Sequence, residues 1–258
     1  TLGADTKQLT LQPGELIPSG QEQDILPKKV QDEFGRESGF HFQHEFELGE
    51  KFGMTYGLRY DTYQYLGART VRQYGENQPI SDGSAIGETT YGEGEKIASF
   101  DGLGPRASMR YSFSKNSSVK VGYNKMYQFI HLISNTATIA PTDIWKLADE
   151  FLKPQIVDQV SLGYYQNFKG NIFETSVEVY YKDIQNVVEY KDGANLILQN
   201  HIETELVPAQ GQAYGVEVYV KKNLGRLTGW ISYTYSRSLR RVLTPYEEEN
   251  INEGEWFA

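Results

Sequence analysis

The stretch SLGYYQNFKGNIFETSVEVYYKD, Ser161–Asp183, reads as two strands joined by a turn at Lys169–Asn171. On the second strand Val177, Val179 and Tyr181 alternate with Glu178, Tyr180 and Lys182, so one face is apolar and the other charged. Pairing Phe168 with Phe173 across the turn places Tyr164 opposite Val177, Leu162 opposite Val179 and Val160 opposite Tyr181 on one side. Gly163 then faces Glu178, and Gln159 faces Lys182, on the other. A slip of one residue would scramble both faces, so the pattern specifies its own register. The apolar band is about ten residues tall, the length a tilted strand needs to cross the hydrocarbon of a bilayer. A charge at mid-bilayer on a lipid-facing strand position costs roughly 2–4 kcal/mol. Glu178 and the equivalent Glu217 are therefore expected to face water, and the Val and Tyr face to meet lipid.

The same alternation runs outward in both directions. Phe40, Phe42, Phe46 and Leu48 share a face with His44 and oppose His41, Gln43, Glu45 and Glu47. Met54, Tyr56, Leu58 and Tyr60 oppose Thr55, Gly57, Arg59 and Asp61. Ala107 to Phe113, Val119 to Tyr123, Tyr214 to Val220 and Ile231 to Tyr235 repeat the period of two. Helical periodicity is nearly absent, and the chain is expected to be all-β, with about eight convincing strands. The start, TLGADTKQLTLQPGEL, reads as a weak strand or loop.

The connections decide between barrel and sandwich. GEKFG from Gly49, SKNSS from Ser114, KGN from Lys169 and NLGR from Asn223 are tight polar turns, rich in residues that accept positive backbone angles. Between them lie long stretches: Leu66 to Ser99, His131 to Pro154, Val188 to Gln210, and Leu239 to the end of the sequence. Connections in compact soluble domains run about 4–6 residues. Strict alternation of short and long is the rule in membrane barrels. A soluble sandwich shares the strand alternation but not this asymmetry.

Composition agrees. No apolar run approaches the roughly 18 residues of a membrane helix, yet a barrel strand needs apolar residues only at alternate positions. The 19 tyrosines suit the aromatic girdles at the two membrane interfaces. A formal charge of -9 argues against a nucleic-acid partner. Cysteine is absent, which removes disulfide and thiolate chemistry.

Several segments, in order, resemble TonB-dependent outer-membrane receptors of Bacteroidetes type. They are HFQHEFELGEKFGMTYGLRYD, GPRASMRYSF, HLISNTATIAPTDIW, LKPQIVDQVSLGYYQNF, EVYYKDIQNVVEYKDGA, AYGVEVYVKKNLGRLTGWISYTYSRS and INEGEW. The resemblance implies a barrel of about 22 antiparallel strands closed by an N-terminal plug. Residues 1–258 would then be a partial barrel domain, a sector with short periplasmic turns and long extracellular loops, lacking the plug and the final strands. The implied partners are the TonB energy-transducing complex, acting through the plug, and outer-membrane lipid. A surface lipoprotein partner is left open. The implied location is the bacterial outer membrane, and the cargo a small molecule, glycan or peptide.

No catalytic constellation is present, and the chain is not expected to be an enzyme. His41 and His44 lie an odd number of residues apart on a strand, so they face opposite ways and cannot share a metal ion. EEEN at Glu247–Asn250 lacks the spaced oxygen ligands of a calcium loop. YGEGEK and GLGP do not sit between a strand and a helix, as a nucleotide loop would. No metal or cofactor is expected.

Substrate contact is expected in His131–Pro154, HLISNTATIAPTDIWKLADEFLKP, which mixes amide, hydroxyl, acid and indole groups above the lumen. Its candidates are His131, Asn135, Asp143 and Trp145, with DIWKLADEF expected to form one or two turns of helix. The competing reading is structural: Asp143 caps IWKL, and Trp145 packs into the barrel mouth. Arg59, Arg110 and Tyr180 are the lumen candidates for a substrate path. Three functions follow from these residues and the resemblance. The first is active uptake of a nutrient or metal chelate bound at outer loops. The second is a passive channel or adhesion barrel. The third is a soluble β-sandwich binding module.

Overall fold

The computed structural model describes residues 1–17, 27–133, 144–195 and 198–258. Its strands, in chain order, begin with β1 (Leu2–Leu11), β2 (Glu15–Leu16), β3 (Lys28–Lys29), β4 (Glu33–Leu48), β5 (Phe52–Leu66), β6 (Arg69–Tyr74), β7 (Ala85–Tyr91) and β8 (Lys96–Ser114). They continue with β9 (Ser117–Gln128), β10 (Ile130–Ile133), β11 (Ile144–Leu147), β12 (Gln155–Phe168), β13 (Phe173–Tyr190), β14 (Leu206–Lys222) and β15 (Gly229–Arg241).

Nine of these form one antiparallel sheet in the order β1-β4-β5-β8-β9-β12-β13-β14-β15. Each wall strand after the first pairs with the wall strand before it in the chain, an up-and-down arrangement built entirely from hairpin-type connections. β12 and β13 take the register that their two faces demand: Phe168 opposes Phe173, Leu162 opposes Val179 and Gly163 opposes Glu178. Glu178 in turn lies opposite Glu217 on β14. Two carboxylates side by side repel, and water on that face screens them.

The apolar face is left uncovered. Phe40, Leu58, Leu103, Val160, Leu162, Val179 and Val218 are all exposed in this sheet, although they are the residues a soluble sandwich would bury. The described buried clusters lie elsewhere, around the outer ends of the strands.

All short turns lie at one end: residues 49–51, 115–116, 169–172 and 223–228. The described residues of the long connections, within 12–32, 67–95, 129–154 and 191–205, lie at the other, together with residues 242–258.

Three expectations are corrected here. The wall has nine strands rather than about eight, because the polar start is the ladder strand β1, paired with β4 from Leu2↔Phe42 to Leu11↔Glu33. Thr6, Gln8 and Thr10 take the parity of Ala4, which pairs with Phe40 on the apolar face, so hydropathy alone under-reads it. The wall strands also run past the bilayer band, as with β13, which continues to Tyr190, and β14, which begins at Leu206. Finally, Ile144–Leu147 is not helical. It is strand β11, paired with β10 from Ile130↔Leu147 to Ile133↔Ile144. Tertiary cover overrides helix propensity here, since Leu147 and Ala148 are wholly buried under the wall tyrosines Tyr63 and Tyr65.

Candidate functional site

The inner face of the wall carries the first group of candidate residues. Asp5, Gly39 and Asp61 lie side by side on β1, β4 and β5. From β5, Arg59 reaches over Gly39 to hold Asp5 with Nη1–Oδ1 at 2.9 Å and Nη2–Oδ2 at 3.1 Å. Its Nε donates to Asp61 Oδ1 at 2.6 Å. A Cβ on Gly39 would lie 2.0 Å from Arg59 Nη2, so glycine at this position leaves the guanidinium its path. Arg59 is therefore committed to a three-strand clamp. Arg106, Lys125 and Tyr127 line the same groove.

The remaining wall candidates stand apart from it. Arg110 lies opposite Gly53, six positions along the ladder from the Arg59↔Gly104 pair, or about 20 Å at 3.3 Å per residue. It is half-exposed near the short-turn end and reaches Glu47 at 3.6 Å. Tyr180 sits four strands away from β5, about 19 Å at strand spacing, with its ring over Gly215. Lys182 Nζ lies 5.5 Å from that ring. The wall thus brings none of Arg59, Arg110 and Tyr180 together.

The outer connections hold the second group. The β10–β11 hairpin lies against the inner surface of the wall: a Cβ on Gly35 of β4 would come within 3.1 Å of Leu147 Cδ1. Tyr63 stacks on Phe129 with centroids 4.9 Å apart and planes at 5°. Beside this apolar contact lies a buried ionic cluster. Glu33 Oε1 meets Arg69 Nη1 at 3.2 Å and Lys146 Nζ at 2.9 Å, while Oε2 accepts the Leu147 N–H at 2.8 Å. Lys146 also reaches Asp149 Oδ2 at 2.6 Å. Asp149 Oδ1 accepts the N–H groups of Phe151 and Leu152, which closes the turn after β11. Burial alone would push the Lys146 ammonium down, but Asp149 and Glu33 outweigh it and hold it well above its ordinary value.

His131 is not an exposed outer-loop residue, as the sequence led us to expect. It lies on β10 opposite Lys146, is 1% exposed, and neither ring nitrogen makes a hydrogen bond among the described residues. Burial, with the Lys146 charge beside it, lowers its pKa to about 4. Trp145 occupies the other face of the hairpin, opposite Leu132, and is 49% exposed. Asn135 and Asp143 lie outside the described residues. His41 and His44 are on opposite faces of β4, with His44 against Tyr56 at 5.5 Å. Among the described residues no cluster of three or more His, Cys, Asp or Glu side chains is placed to hold a metal ion.

Glu33, Arg69 and Asp149 were missed by sequence reasoning because a charge outside the alternating wall pattern reads as solvated whether or not it has a partner. One signal was present. Tyr63 and Tyr65 continue the inward parity of Arg59 and Asp61, which marks where something must cover the wall.

Comparison with known proteins places this geometry. Residues 8–258 match the family model described as TonB dependent receptor-like, beta-barrel. No curated protein matches the sequence. Among solved structures, the chain is similar to the FrpB iron transporter from Neisseria meningitidis (F3-3 variant), at 16% identity and TM-score 0.54, covering 87% of this chain and 29% of that one. It is also similar to the siderophore receptor PiuA from Acinetobacter baumannii, at 13% identity and TM-score 0.52, covering 90% and 29%. The copper transporter OprC aligns at 10% identity and TM-score 0.51, covering 89% and 32%. At these identities the likeness concerns the fold. The chain spans about a third of the length of these structures.

Proposed function

The chain belongs to the TonB-dependent receptor β-barrel family of the outer membrane, and from that premise we propose that it forms part of the wall and outer mouth of an active importer. The cargo is a large nutrient or metal chelate, captured at the extracellular connections and drawn through a plugged lumen by the TonB complex. The observation that carries the reading is the placement of β10–β11, which lies inside the mouth against Gly35 and Tyr63 and turns Trp145 away from its buried Lys146 face. An indole held on a buried support offers a flat contact surface at low entropic cost. Asn135 and Asp143 belong to the same connection and are proposed to complete the contact; Arg106 and Tyr180 would line the path below it. Arg59 and His131, each committed to internal contacts, would shape the site without touching cargo. Arg110, near the short-turn end, would meet cargo last.

The iron transporter, copper transporter and siderophore receptor among the similar structures support an iron, copper or chelate cargo, and a glycan or peptide fits the same aromatic surface. The Bacteroidetes-type segments support a surface lipoprotein as a further partner. Profiling the growth medium tests the reading. A component depleted by wild-type cells should persist with a gene-deletion strain and with protonophore-treated wild type. Depletion that continues under protonophore would contradict active uptake and favour a passive channel.

A further inference from the structure

We infer that the described parts of the outer connections form one ion-locked block pinned by Glu33, so that loss of this one carboxylate is transmitted to the connections it joins. The contacts run without a break. Glu33, the first residue of β4, joins Arg69 in 67–95 to Lys146 and Leu147 in 129–154. Arg69 donates to Gln31 O at 3.2 Å and Asn200 O at 3.3 Å, which adds 12–32 and 191–205. The Gln31 N–H returns to Asn200 Oδ1 at 3.1 Å, and Gln31 Oε1 accepts the Thr70 N–H at 2.9 Å. Tyr74 OH donates to Glu203 Oε1 at 2.8 Å. Lys191 reaches Ile80 O at 2.6 Å and Glu249 Oε1 at 2.7 Å, which brings in 242–258.

Burial makes this chain cooperative. Glu33 is 2% exposed, Lys146 3% and Arg69 9%. A buried charge deprived of its partner is strongly penalised, so neither cation leaves Glu33 alone at small cost. Lys146 keeps Asp149 at 2.6 Å within its own connection, so Glu33 is the group whose loss disturbs both cations at once. Arg72 provides the contrast. Its partners, Asp82 at 2.6 Å and Glu88 at 3.4 Å, are exposed and belong to its own connection.

The test is hydrogen–deuterium exchange with mass spectrometry on the intact receptor in detergent, with no substrate added, so its outcome is separate from that of the transport reading. Glu33→Gln should speed exchange at least ten-fold in peptides covering 69–75 and 144–152, neither of which contains residue 33. Arg72→Ala should speed exchange only within 67–95. Arg69→Gln, which leaves the Glu33–Lys146 pair in place, should speed 69–75 and 198–205 while 144–152 stays within two-fold of wild type. It also serves if Glu33→Gln fails to assemble. An effect of Glu33→Gln confined to 28–37 would overturn the inference. So would an Arg72→Ala effect that spreads to 144–152, or an Arg69→Gln effect that spares 198–205.

Discussion

Glu33 Oε1, at the start of β4, and Lys146 Nζ, on β11, lie far apart in the chain and meet at 2.9 Å with side chains only 2% and 3% exposed. A pair this deeply covered has no solvent to fall back on, and that sets the first prediction. Glu33→Ala or Lys146→Met should each destabilise the outer layer by about 3–5 kcal/mol, because each strands a buried charge. The double variant should lose less than the two single losses added together, since it strands fewer charges. Urea titration of protease resistance at the outer connections, on folded receptor, gives all three values.

His131 gives the layer an acid sensitivity. Its pKa falls from 6.5 to about 4 on folding, so the folded state holds the ring neutral while the unfolded chain takes up a proton. The associated stability is fully present above pH 6.5, is lost as pH falls, and is gone below about pH 4. His131→Phe should remove that part of the pH dependence, leaving the carboxylates to dominate below. Protease resistance measured between pH 7 and pH 4 checks it.

Gly39 is where one methyl group has a defined consequence. Gly39→Ala puts a Cβ where Arg59 Nη2 now lies and should displace the guanidinium from Asp5. A double-mutant cycle between Asp5 and Arg59 should report a coupling of about 1 kcal/mol in the native background, modest because both side chains remain partly wet. In the Gly39→Ala background the coupling should vanish.

The two faces of the β12–β13 hairpin predict opposite tolerance. Val179→Arg places a charge on the lipid face and should cost roughly 2–4 kcal/mol at mid-bilayer, with reduced assembly in the outer membrane. Gln159→Arg, on the inner face opposite Lys182, should assemble at near wild-type levels. Heat-modifiable mobility on gels gives the yield of folded barrel for each.

The wall was legible because a bilayer on one face and water on the other impose a period of two, which appears in every strand from Phe40 to Tyr235. The register of β12 and β13 was legible in six residue pairs, from Phe168–Phe173 to Gln159–Lys182. β1 was under-read because Thr6, Lys7, Gln8 and Thr10 give little apolar contrast, and its pairing with β4 comes from backbone hydrogen bonds that any side chain permits. The outer layer was mostly hidden. Nothing local links Glu33 to Lys146 or Arg69 to Asn200, and IWKL reads as helix until Tyr63 and Tyr65 are known to cover it. Trp145 was identified as a candidate from its type and position, and its side chain stands half-exposed on the hairpin. His131 was chosen on the same grounds and lies buried, because a loop residue's sequence does not say which way its strand turns.

The most direct test of the central claim is spin-label accessibility along β13 in lipid. Single cysteines at residues 176 to 181, each carrying a nitroxide, are measured against oxygen and against a water-soluble nickel chelate. The account predicts alternation: Val177, Val179 and Tyr181 accessible to oxygen, and Ser176, Glu178 and Tyr180 accessible to the chelate. If Val177, Val179 and Tyr181 were reached by neither probe, that face would be packed inside protein, and the lipid-facing wall would be contradicted.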